Sequence, residues 1–166
     1  MAGMVLLVLV PLIYGIIALN TGDWLWISPV FDYQPTIIII YCFGEKVTIP
    51  AGSDHFSALV EIVNHTLSGR KRWDSLTMSA ETYREYQTNP EMMVVELHYP
   101  APIRVHSRYK YFSNVDKIII PLVGRHAQTN AVFGRRFGLP AAGSFHPVST
   151  VPVKEYLIEK NLCTPP

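Results

Sequence analysis

The stretch MAGMVLLVLVPLIYGIIAL, residues 1–19, decides how the rest of this chain is read. Only Gly3, Pro11 and Gly15 interrupt its large apolar side chains, and no charged residue appears before Asp23. At ~1.5 Å rise per residue such a run reaches across a hydrocarbon layer of roughly 30 Å. It predicts one transmembrane helix over residues 2–20. A soluble core helix would keep a polar face, and this segment has none. A cleaved signal peptide would need a basic start and a small-x-small exit; no Lys or Arg precedes the run, and Ala18-Leu19-Asn20 fits such a site poorly. Pro11 kinks a helix, which a membrane span tolerates better than a soluble one.

The residues after the run divide the chain into three parts: an anchor over 1–22, an interfacial linker over 23–35 and a soluble domain over 36–166. Asn20-Thr21-Gly22 closes the helix, and Trp24 and Trp26 suit a headgroup layer, where an indole keeps its N–H wet and its body apolar. A second span over 24–43 is broken by Pro29, Asp32, Gln34 and Pro35. Neither flank of the anchor carries Lys or Arg, the first being Lys46, so the charge rule for orientation is silent. An anchor followed by one globular domain favours a single-pass protein of the cell membrane with its domain outside the cytoplasm. The membrane bilayer is thus the first expected partner.

Charge excludes one class of partner. With 14 Lys+Arg against 13 Asp+Glu the formal charge is +1, far from the basic balance that nucleic-acid binding demands, so no nucleic acid is expected. The two cysteines, Cys42 and Cys163, form no CxxC and no metal cluster. They allow at most one internal disulfide, and the burial preference of free cysteine favours two separate thiols.

The domain reads as α+β, with a mainly antiparallel sheet and about three helices. Thr36–Phe43, carrying four consecutive isoleucines, and Lys46–Ile49 form a hairpin around Gly44, the first strand being apolar on both faces and hence central. Ser53 caps a helix over 53–68 with Phe56, Leu59, Val60, Val63 and Leu67 on one face and Gly69 at its end. The basic link Arg70-Lys71-Arg72 leads to a second helix over 79–88, with Met78 and Tyr83 placed as a hydrophobic staple. A third helix covers 152–161.

Between them, Met92 to Tyr111 alternates strongly, and Pro100-Ala-Pro102 suggests a turn. A hairpin with Tyr99 facing Ile103 places Met93, Val95, Leu97, Tyr99, Ile103, Val105, Tyr109 and Tyr111 inside. Glu96, His98, Arg104, His106, Arg108 and Lys110 then lie outside. Lys117–Val123 is a buried strand in which Pro121 marks an edge or a bulge. Glycine punctuation over 124–138 suggests short strands joined by exposed loops.

Candidate chemistry follows from the polar face. Glu96, His98 and His106 form the one plausible metal set, but no i, i+4 pair supports it and a solvated or salt-bridged strand face is the commoner outcome, so no metal is expected. Arg104, Arg108 and Lys110, joined by Arg125 or by Arg135 and Arg136, make an anion-binding surface with His106 beside it, unless Glu96, Asp116, Glu155 and Glu159 neutralise the arginines. Neither GxSxG nor GxxxxGK[ST] occurs, and no serine or cysteine has a histidine-and-acid context, so no enzyme and no cofactor is expected. Asn64-His65-Thr66 matches a glycosylation sequon inside a predicted helix. The expected function is a non-catalytic, membrane-anchored accessory subunit that binds or stabilises a membrane protein complex. Val132, Phe133 and Phe137 would anchor the contact, Arg125, Arg135 and Arg136 would set its register, and Gly3 and Gly15 would let another helix approach. A tethered sensor of an anionic ligand or lipid headgroup is the alternative, and a membrane-bound hydrolase the second.

Overall fold

The apolar run does form a helix: α1 spans Ala2–Thr21 with Pro11 inside it. The computed structural model describes residues 2–110 and 112–166, with side chains from Leu7 onward. Gly22 adopts φ +64°, and the Asp23 N–H reaches back to the Ala18 carbonyl at 3.1 Å, the six-to-one bond with which a left-handed glycine closes a helix. Among the residues described with side chains, which take up α1 only from Leu7, no helix is long and apolar enough to cross a membrane. The contact expected at Gly3 lies outside those side chains.

The domain is α+β, with a mainly antiparallel sheet; with α1 the described chain has four α-helices. The strands β1 (Ile37–Cys42), β2 (Glu45–Pro50), β4 (Met93–Ile103), β5 (Val115–Val123), β6 (Phe133–Arg136) and β7 (Leu139–Pro140) form a six-stranded sheet in the order β2-β1-β4-β5-β6-β7. A small second sheet pairs β3 (Arg72–Asp74) with β8 (Ser144–His146). Helices α2 (Asp54–Leu67) and α4 (Val151–Glu159) cover one face. Their Phe56, Leu59, Val63, Val153 and Leu157 meet Ile38, Ile40, Val95, Leu97, Ile118 and Ile120 in the main core. Burying one such aliphatic side chain is worth about 1.5–3 kcal/mol. Helix α3 (Ala80–Thr88) covers the other face, where Met78 and Tyr86 pack on Val94, Ile119 and Phe133.

The local signals act as read. Ser53 Oγ accepts the Phe56 N–H at 3.2 Å and Ser79 Oγ that of Thr82 at 3.1 Å, so both serines cap their helices. The first hairpin pairs Ile38 with Ile49 and Ile40 with Val47. Pro121 sits at a bulge, where Met93 pairs with Val123 and Val94 with Pro121, leaving Leu122 without a partner.

Other expectations are corrected. Residues 92–111 are not a hairpin: β4 runs on from Met93 to Ile103, between β1 and β5. Its pairing with β1 ends at His98, and the register shifts between His98 and Ile103, so Pro100 and Pro102 fall where no neighbouring strand needs their missing N–H. The odd-numbered residues from Met93 to Leu97, with Tyr99, Ile103 and Val105, are buried as expected, Tyr109 is half-buried, and Tyr111 lies outside the described residues. Glu96 is only 1% exposed, because α3 of the same chain covers the even face of β4.

The cysteines are not separate thiols. Cys42 at the end of β1 and Cys163 beyond α4 form a disulfide, their Cα atoms 5.5 Å apart. Over 124–138 the chain does alternate a short strand, β6, with exposed stretches at 128–129 and 136–138, but Val132 and Phe133, read as exposed contact residues, are buried. Residues 23–35 do not hang free. Phe31 joins the core, and its backbone N–H and C=O both bond Ser68 Oγ at the end of α2.

Candidate functional site

The predicted binding residues separate into three places. Arg104 and His106 follow β4 and meet the end of α1. Arg104 Nη1 donates to the Gly22 carbonyl at 3.1 Å and to that of Thr21 at 3.4 Å, placing a cation on the carbonyls a helix leaves open. His106 Nδ1 lies 2.9 Å from Asp23 Oδ1, and the Ser107 N–H donates to Asp23 Oδ2 at 3.3 Å. Asp23 is 5% exposed, so these contacts, with the Leu25 N–H at 3.0 Å, keep a buried carboxylate satisfied. Tyr33 Oη donates to the Arg104 carbonyl at 2.7 Å and steadies the same turn. On the helix side Tyr14 lies against Trp24 and Trp26 and donates its hydroxyl to the Trp24 carbonyl. The junction between helix and domain is therefore polar, buried and well connected.

Arg125, Arg135, Arg136 and Phe137 lie elsewhere. Arg125 pairs with Glu85 on α3. Arg135, 8% exposed, stacks its guanidinium 4.3 Å from the Tyr83 ring centre and donates to the Gly138 carbonyl, so it is no surface contact. Arg136 and Phe137 form the exposed tip of the β6–β7 hairpin, with Phe137 73% exposed. Arg108 is exposed over the Tyr109 ring and lines a cleft beside the helix junction.

The face expected to be solvated holds instead a buried charge network. Glu96 accepts from Gln87 Nε2 at 3.0 Å and lies 3.1 Å from His98 Nε2 and 3.2 Å from Lys117 Nζ. Lys117 also donates to Tyr83 Oη at 2.9 Å. Burial alone would raise the pKa of Glu96. The hydrogen bonds of His98 and Tyr83 and the charge of Lys117 outweigh it and hold the carboxyl down at about 2. Tyr83 is pushed up, first by burial and then by that carboxylate. Its partners thus hold Glu96 in the anionic form at neutral pH.

His106 does not join Glu96 and His98. Among the described residues no group of three or more His, Cys, Asp or Glu is placed to hold a metal ion. Of the carboxylates weighed as neutralisers of the arginines, Glu96 is taken by Lys117 and His98, and Asp116 accepts the Phe137 N–H at 2.7 Å.

One set resembles a catalytic triad in composition. Ser144 Oγ donates to Asp74 Oδ1 at 2.7 Å, and His146 Nε2 lies 2.8 Å from Asp74 Oδ2. The geometry is not that of a triad. Nε2 also lies 3.3 Å from Ser144 Oγ, but that hydroxyl donates to Asp74, Nδ1 faces the Thr129 carbonyl at 2.8 Å instead of an orienting carboxylate, and Ser144 is fully buried. Burial would raise Asp74, but the bonds from Ser144 and Leu76 and the neighbouring His146 leave its carboxyl below the usual range. The cluster ties β3 to β8.

The sequence reading missed the role of Asp23 and of the Thr21 and Gly22 carbonyls, and treated Arg70-Lys71-Arg72 as a link only. The available signal was the first acidic residue standing directly behind the apolar run, with a compensating Arg and His later in the chain. Comparison with family models, with curated proteins and with solved structures returns no significant match to this chain.

Proposed function

We propose that this chain is a non-catalytic, membrane-anchored accessory protein: α1 lies in the bilayer as a single span and the α+β domain is held at the surface to bind a membrane protein complex. The observation that carries this reading is the band Leu7, Val8, Leu9, Val10, Leu12, Ile13, Ile16 and Leu19, whose side chains are 44–76% exposed. Left in water, that band forgoes on the order of 10 kcal/mol of transfer free energy. The whole helix has 20 residues, ~30 Å at 1.5 Å each, which matches a hydrocarbon layer. Trp24, Leu25 and Ile27, all exposed, follow at the level of the headgroups.

The junction supports the same reading. Arg104, His106 and Asp23 couple the helix to the domain, so the domain's orientation follows that of the anchor. The Cys42–Cys163 disulfide favours a domain outside the cytoplasm. For partner contact the exposed features are now Arg136, Phe137 and Leu139 on the β6–β7 tip, and Gly15, where an added Cβ would meet nothing within 4 Å.

Alkaline carbonate extraction of membranes carrying the full chain tests the anchor. The chain stays with the pellet. A Val10→Arg, Ile13→Arg variant, which loses about 2.5–3.5 kcal/mol per arginine at the centre of a span, is released or fails to insert. A wild-type chain released by carbonate and monodisperse without detergent overturns the reading.

A further inference from the structure

We propose that the cleft between residues 26–29, 69–73 and 106–109 binds the phosphate of an anionic lipid headgroup. The inference rests on the membrane reading of α1 and deepens it. The cleft measures about 570 Å³. Its walls come from three places that only the fold brings together: the loop behind α1 with Trp26, the segment leaving α2 with Arg70 and Arg72, and the turn behind β4 with Arg108.

Arg70, Arg72 and Arg108 are exposed, and among the described residues none of them enters an ion pair. Two carboxylates that adjoin the cleft-lining residues are already committed: Asp74, which follows Trp73, to Ser144 and His146, and Asp23 to His106 and Ser107. Lys71 serves differently: its Nζ donates to the Pro29 and Gly69 carbonyls at 3.0 and 3.2 Å and ties the first two walls together. Three uncompensated guanidinium forks facing one cleft fit a phosphate oxyanion, which they can bind bidentately. Trp26, also in the wall, has a buried indole N–H with no acceptor among the described residues.

Position selects the lipid. The cleft opens beside the residues that leave α1, and Trp24, Leu25, Ile27 and Val30 on its approach are exposed and apolar. A free anion has no use for such a rim, whereas a headgroup arrives with its acyl chains beside it. A cationic cleft at that depth favours an anionic headgroup over a zwitterionic one, whose choline it repels, by roughly fivefold per arginine.

Native mass spectrometry of the full chain, released from micelles holding equal phosphatidylglycerol and phosphatidylcholine, tests this. The wild type retains phosphatidylglycerol roughly a hundredfold over phosphatidylcholine, at about fivefold for each of the three arginines. Arg70→Gln, Arg72→Gln, Arg108→Gln together bring the ratio near one, and Arg84→Gln, exposed on α3, leaves it unchanged. The Lys triple at the same positions keeps the preference, and should the Gln triple fail to fold, each single Arg→Gln variant lowers the ratio severalfold. A wild-type ratio near one, or a preference that survives removal of the arginines, overturns the proposal. Inorganic phosphate that abolishes the preference, and itself binds with the same arginine dependence, reassigns the cleft to a soluble anion and overturns the lipid assignment. Carbonate extraction on the same preparation separates the two readings: a chain that stays in the membrane without a lipid preference defeats the cleft alone, and a chain that washes off defeats the anchor.

Discussion

Replacing Glu96 by glutamine isolates the buried network under α3. A carboxyl that titrates near 2 in the folded chain and near 4.3 in the unfolded one contributes about 3 kcal/mol at pH 7. Because the folded value is the lower one, this stabilisation is complete above about pH 5 and is lost as pH falls from about 4.3 towards 2; at pH 2.5 under about 1 kcal/mol remains. The amide of the Glu96→Gln variant keeps the shape and part of the hydrogen bonding but leaves Lys117, 3.2 Å away, without its counter-charge, a loss of the size seen when one partner of a buried pair is removed. Thermal melts followed by circular dichroism at pH 7 then place Glu96→Gln about 6–12 °C below wild type, at roughly 2–4 °C per kcal/mol for a chain of this size. The gap between the two narrows at pH 2.5, since only the wild type has a carboxylate to lose. A variant within about 1 kcal/mol of wild type at pH 7, or a gap equal at both pH values, refutes the argument that Glu96 is held charged by its partners.

Three further perturbations probe other links. Cys42→Ala with Cys163→Ala opens a loop of sequence separation 121, and the chain-entropy account puts the loss near 5 kcal/mol; urea melts of the double variant against wild type measure it. Gly134→Ala forces a Cβ to within 2.7 Å of Phe112 and 2.8 Å of Val115, so it costs about 1–3 kcal/mol by overpacking between β5 and β6, read from the same melts. Asp23→Ala with Arg104→Ala removes the junction's charges, and hydrogen exchange of residues 18–24 in lipid discs rises while that of β4 and β5 holds.

What could be read from the sequence was what local chemistry decides. The serine caps at 53 and 79, the helical spacing on α2 and the four isoleucines of β1 needed no knowledge of distant residues. The parity argument for 92–111 put the odd-numbered residues of β4 from Met93 to Tyr99 inside correctly but failed on the even face, which it assumed to be wet. Tyr83, Tyr86 and Gln87 of α3 close over that face, and Glu96 is buried with its own partners. Glycines 124, 134 and 138 read as loop punctuation, yet Gly134 lies within a strand, where Phe112 and Val115 leave no room for a side chain. The disulfide and the helix junction were out of reach for a related reason: Cys42 meets Cys163, and Asp23 meets His106 across 83 positions. Arg104 and His106 were singled out by type, but their role depends on the helix end they meet.

The measurement closest to the central claim is a spin-label scan of α1 in lipid discs. Single cysteines at Leu7, Val10, Ile13 and Ile16, and at Lys46 and Glu155, exposed on the domain, as controls, are labelled in the otherwise unaltered chain. The account predicts that labels on the four helix positions collide readily with dissolved oxygen and scarcely with a water-soluble nickel chelate, whichever side of the helix they occupy, and that the two control positions show the reverse. Ready collision with the chelate at Val10 and Ile13, or a swing between the two agents every 3.6 residues, would place α1 in water or along a protein surface and contradict the anchor.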